Sequence, residues 1–108
     1  MGECMSPNAA EILQRLQPYA IVVGSAALCV NYNDIDVLIP ERCWLKAKKL
    51  FDHLSPTSAF PFNAKTFETD PPIEIFVVWY GPLYEDIPSE EIVWRELLGV
   101  KMRCWSKA

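Results

Sequence analysis

The eight residues Ile73-Glu74-Ile75-Phe76-Val77-Val78-Trp79-Tyr80 constrain this chain more than any other segment. They are almost wholly β-branched or aromatic, the composition that fits a pleated, packed surface, so they predict a strand. Pro71-Pro72 marks its start and Gly81 its end. Glu74 is the anomaly, because a carboxylate in so apolar a strand is costly unless it lies at an exposed face or meets a cation.

The rest of the chain supplies partners for that strand. Asn8, with Glu11 three residues on, can cap a helix whose apolar positions Ala9, Ile12, Leu13 and Leu16 recur at helical spacing until Pro18. The run Tyr19–Val23 predicts a strand covered on both faces and closed by Gly24. A connection, 25–33, begins with residues able to form a helical turn and ends in the turn-like Asn31-Tyr32-Asn33. Asp34–Ile39 predicts the next strand. Pro40 then suits the first turn of a second helix, striped by Trp44, Ala47, Leu50, Phe51 and Leu54 and ended by Ser55-Pro56.

Residues 57–70 are less regular, although Phe60, Phe62, Ala64 and Thr66 alternate as in a half-exposed strand. After a loop over 81–88, Ser89 with Glu90 and Glu91 predicts a third short helix that Gly99 ends, and Val100–Trp105 predicts a last strand. The order α-β-β-α-β-β-α-β predicts one domain over 1–108 with an α+β (α/β sandwich) fold, a mixed β-sheet flanked by helices. A hydrophobic fraction of 51% supports a packed core.

A net charge of −4 and a pI near 4.9 exclude the broad basic footprint that duplex nucleic acid requires. Lys46, Lys48 and Lys49 fall where a helix end favours cations, and His53 is read the same way. Cys4, Cys29, Cys43 and Cys104 form no C-x-x-C pair, so zinc spacing is missing and free thiols are expected. The polar start Met1-Gly2-Glu3-Cys4 and the lack of a membrane-length apolar run predict a cytoplasmic protein with no membrane role.

Asp34 and Asp36 are two apart in a predicted strand, so both carboxylates point to one side while Ile35 and Val37 point to the other. Paired anions repel, and a divalent cation with a preference for oxygen ligands resolves the conflict, magnesium being the first candidate. Glu74 is the natural third ligand, with Asp70 as its rival, although pairing with Lys65 or Lys101 would also explain Glu74. Gly24 permits close backbone approach, and Ser25 offers a hydroxyl and an N–H where the chain can enter a helical turn, a place suited to phosphate.

In these features the chain resembles the DNA polymerase beta-like nucleotidyltransferases, and most closely their minimal, single-domain members. The resemblance rests on Ile21-Val22-Val23-Gly24-Ser25, on Asp34-Ile35-Asp36-Val37-Leu38-Ile39 and on Ile73-Glu74-Ile75-Phe76, and spans roughly residues 8–80. It implies a nucleotidyltransferase-like fold of the polymerase-beta palm type. It implies that Gly24 and Ser25 hold a nucleoside triphosphate, that Asp34, Asp36 and Glu74 are the catalytic acids and ligate two Mg2+ ions, and that a nucleoside monophosphate passes to a hydroxyl acceptor. The acceptor implied first is a helical partner protein in a toxin-antitoxin pair.

The pattern also departs from that family. Eight residues separate Ser25 from Asp34, fewer than usual, and Ala26-Ala27-Leu28-Cys29-Val30 stands where a small, arginine-bearing stretch is common. Glu74 replaces the usual Asp. No helical bundle to grip base or acceptor is visible, so a partner subunit is expected to supply one. The alternative is an inactive module of the same fold whose aromatic-rich surface serves dimerisation or binding of another chain.

Overall fold

The structure, a computed structural model, describes residues 8–28, 32–51, 59–60, 64–77 and 82–107. The first helix, α1 (Ala9–Leu16), forms for the reason its sequence indicates. Asn8 Oδ1 accepts the Glu11 N–H at 2.9 Å and Glu11 Oε1 accepts the Asn8 N–H at 3.2 Å, a reciprocal cap. Ala9, Ile12, Leu13 and Leu16 are buried, and full burial of each large aliphatic contributes about 1.5–3 kcal/mol. Pro18 does not cut the chain off at once: a 3-10 turn, Gln17–Tyr19, follows. Tyr19 therefore belongs to this turn rather than to the strand expected to start with it.

The strands are β1 (Ile21–Val23), β2 (Ile35–Leu38), β3 (Ala59–Phe60), β4 (Ala64–Phe67), β5 (Ile73–Phe76), β6 (Ile92–Leu97) and β7 (Val100–Trp105). They form one sheet in the order β3-β4-β5-β2-β1-β7-β6. β2 runs antiparallel to β1 and parallel to β5, while β7 is parallel to β1 and antiparallel to β6. The protein is thus an α+β fold with a mixed sheet and two helices among the described residues, the second being α2 (Trp44–Phe51).

The two faces of the sheet differ. On one, Val22, Ile35, Val37, Ile73, Ile75, Met102 and Cys104 join the buried side chains of α1 with Ala26, Ala27 and Ala47 in the main core. On the other, Ile21, Val23 and Leu38 meet Ile87, with Phe76, Tyr84, Ile92 and Trp105 packed around them. The residues over this second face come from the 3-10 turns Tyr84–Asp86 and Ser89–Glu91 and their surroundings, not from a helix. Arg103 ties β7 to the end of α1 by donating to the carbonyls of Gln17 and Pro18 at 3.4 and 2.9 Å.

One expected element is overturned. Ser89–Glu91 is only a single 3-10 turn, and Ile92–Leu97 is a strand instead of the third helix. Leu98 (φ 54°) and Gly99 (φ 82°) both adopt left-handed backbone, which joins β6 to β7 by a two-residue hairpin whose twist suits antiparallel strands. Gly99 is thus a turn residue, not a helix cap. The Ile92-Val93-Trp94 sequence favours this outcome, since β-branched and aromatic residues lose side-chain freedom in a helix.

Smaller differences concern boundaries. Pro40 has extended backbone and precedes a 3-10 turn, Glu41–Cys43, before α2 begins, so it stands outside the helix it was expected to open. The strand expected over 73–80 is described as far as Phe76, with Val77 beyond its end, and residues 78–80 lie outside the described set, as do Leu54, Ser55-Pro56, Phe62 and His53. Cys43 and Cys104 are outside any disulfide, and Cys4 and Cys29 are outside the described residues. No described helix is long and apolar enough to cross a membrane.

Candidate metal centre

Strand register assembles the site. In the antiparallel β1–β2 pair Val23 lies opposite Asp36, and in the parallel β2–β5 pair Asp36 lies beside Glu74. β4 adds Thr66 opposite Glu74. Val23, Asp36, Glu74 and Thr66 therefore form one cross-strand row, and period-two alternation puts them on the second face of the sheet. Their neighbours Ile35, Val37, Ile73 and Ile75 are fully buried on the main-core side, which fixes the register, because a slip by one residue would drive both acids into that core.

Asp34 stands just before β2 rather than inside it, yet it joins the same group. One carboxylate oxygen from each of Asp34, Asp36 and Glu74 lies within 4.8 Å of the others, and all three residues are half-buried. This is the arrangement expected from the sequence, reached by two adjacent parallel strands. Asp70, the rival third acid, is exposed and lies outside the cluster. Lys101 sits on β7 opposite Glu96, and the β4–β5 register sets Lys65 opposite Ile75 rather than Glu74.

The electrostatics of the cluster are unfavourable without a cation. Burial, a hydrogen bond shared with Glu74 and the negative charges of Asp34 and Glu74 push the Asp36 carboxyl up to about 8. A hydrogen bond between two carboxyl groups requires a proton on one of them, so the metal-free cluster holds a proton at neutral pH. Asp36 Oδ1 is buried with no hydrogen-bond partner. An orphaned buried carboxylate oxygen, aligned with two further acids, fits a divalent cation preferring oxygen ligands. Neither of the ion pairs found among the described residues, Arg42–Glu85 and Lys107–Glu91, involves these acids.

Gly24 and Ser25 follow Val23, the residue opposite Asp36, so the turn leaves β1 at the end of the sheet where the acids gather. Gly24 has φ 75°, a backbone that side-chain-bearing residues adopt at a cost, which explains the glycine. Its carbonyl accepts the Ala27 N–H at 3.1 Å and closes a 3-10 turn, Ser25–Leu28. Ser25 is exposed, while Ala26 and Ala27 are buried in the main core. The alanines thus anchor the turn, and this is why small apolar residues occupy it.

Thr66 was not singled out in the sequence as a site residue. Its Oγ1 donates to Glu74 Oε2 at 3.4 Å, and it is 6% exposed. Only its place in an alternating segment hinted at it; partnership with Glu74 depends on pairing between strands. No family model, curated protein or solved structure matches the chain. The functional reading therefore rests on the residues and their geometry.

Proposed function

We propose that this protein is a magnesium-dependent nucleotidyltransferase of the polymerase beta-like kind, transferring a nucleoside monophosphate from a nucleoside triphosphate to a hydroxyl acceptor. The observation that carries this reading is the convergence of Asp34, Asp36 and Glu74 within 4.8 Å, at the end of the sheet from which the Gly24-Ser25 turn departs. Bound magnesium would supply charge neutralisation on the triphosphate and acidify the acceptor hydroxyl.

The chain's own residues have distinct tasks. Asp36 lies between Val23 and Glu74 in the row, and its orphaned oxygen is the central ligand. Its proton has to leave before both of its oxygens can serve a cation, so cation binding and deprotonation are linked. Asp34 completes the ligand set from the preceding bend. Glu74, with one oxygen engaged by Thr66, retains the other for a cation or for the acceptor's proton. The exposed Ser25 hydroxyl orients phosphate, and the Gly24 backbone allows it to come close.

An acceptor on a partner protein agrees with the acidic charge of −4 better than a nucleic-acid acceptor does. The test is incubation with labelled nucleoside triphosphates, magnesium and the product of the neighbouring reading frame. Label should pass to that product from the wild-type chain and not from one carrying Asp34→Asn and Asp36→Asn. Transfer by the doubly substituted chain would refute the site. Absence of both transfer and nucleotide binding in wild type would leave the fold as a non-catalytic interaction module.

A further inference from the structure

We propose that Thr66 is a positioning residue of the metal centre: its buried hydroxyl keeps the Glu74 carboxylate turned towards Asp36, so that the three acids present one cation site. The inference rests on the magnesium reading above and adds a residue that the sequence pattern does not assign to the site.

Thr66 lies directly opposite Glu74 in the antiparallel β4–β5 pair, at the outer end of the row Val23, Asp36, Glu74, Thr66. It is 6% exposed, so its hydroxyl is largely removed from water. Packing alone does not call for threonine there, since valine has almost the same shape without a polar atom to satisfy. That hydroxyl donates to Glu74 Oε2, at 3.4 Å. This is long for an O–H···O bond, so its part is to orient rather than to bind strongly.

Orientation is what Glu74 needs. Glutamate has one more rotatable bond than aspartate, so its carboxylate has more freedom to rotate out of the row. Thr66, on the side of Glu74 away from Asp36, engages Oε2 and thereby fixes the rotation of the carboxylate, leaving its other oxygen for the Asp36 side, while the β-branched side chain is itself stiff about its first torsion. Carboxylate ligands held by hydrogen bonds from outer residues depend on them, commonly by roughly 10–100-fold in metal affinity.

The test is magnesium titration by calorimetry on the full chain with Thr66→Val, Thr66→Ser, Glu74→Gln and the Thr66→Val, Glu74→Gln double variant. Melting curves in chelator check that each is folded. The expected result is a loss of roughly 10–100-fold in magnesium affinity for Thr66→Val, near wild-type affinity for Thr66→Ser, and no further loss when Thr66→Val is added to Glu74→Gln. A purely structural role would lower affinity by the same factor in both backgrounds and would overturn the proposal. Unchanged affinity in Thr66→Val beside a wild type that binds magnesium overturns the role of Thr66 alone. A wild type that binds no magnesium overturns the metal centre and this inference together.

Discussion

Replacing Asp36 by asparagine should stabilise the metal-free protein at pH 8 and leave its stability at pH 4 nearly unchanged. In the folded chain the Asp36 carboxyl is pushed up to about 8, chiefly by burial, then by its hydrogen bond to Glu74 and by the charges of Asp34 and Glu74. In the unfolded chain it titrates at the ordinary value of 3.8. Between these values the folded state binds more protons than the unfolded state, so stability falls as pH rises. Asp36 lends its full contribution below pH 4, loses it progressively towards pH 8, and costs nothing more above that.

The slope within the window is at most about 1.4 kcal/mol per pH unit. Asp36 is only half-buried, and solvent screening reduces the whole effect to about 2–3 kcal/mol. In a chain of this size that is a shift of about 10 °C in melting temperature. Asparagine has the same shape and can donate to Glu74 as the protonated carboxyl does. Thermal melts of both proteins in chelator, from pH 4 to 9, should therefore diverge through the window. Magnesium should raise the wild-type curve at pH 8 by mass action and leave Asp36→Asn unmoved. Curves that stay parallel with pH would mean that the Asp36 carboxyl is not raised in the folded chain.

Three further substitutions probe the frame around the site. Leu98→Asn should raise stability by about 1 kcal/mol in a denaturant melt, because Leu98 is 44% exposed and holds φ 54°, a backbone better suited to asparagine. Asn8→Ala removes the reciprocal cap of α1 and should cost about 1 kcal/mol in the same assay. Gly24→Ala forces a side chain into φ 75°, which should cost about 1–2 kcal/mol and weaken nucleotide binding more than it weakens magnesium binding, as titrations with each ligand would show.

Much of this is legible in the sequence. Local signals sufficed for α1, whose cap and stripe lie within residues 8–16, and for the placement of Asp36 and Glu74, because alternation along a strand assigns faces without reference to neighbours. The nearness of those two acids needed more than alternation, since nothing local says that β5 lies beside β2 in parallel register. The helix expected over Ile92–Leu97 rests on Ser89, Glu90 and Glu91, which resemble a helix start, and on Gly99, which resembles a helix stop. Local capping cues were overridden there by a β-branched segment pairing with β7 along its full length. Thr66 was missed for a related reason: a hydroxyl in a strand means little until the strand opposite brings it a carboxylate.

In the proposed site Asp34, Asp36 and Glu74 hold magnesium beside a turn that receives a nucleoside triphosphate. Calorimetric titration of the wild-type chain with a nucleoside triphosphate, in magnesium and in chelator, tests it most directly. Binding should require magnesium and disappear when Asp34 and Asp36 are both asparagine. Equal binding in chelator, equal binding by that double variant, or no binding under any condition would contradict it.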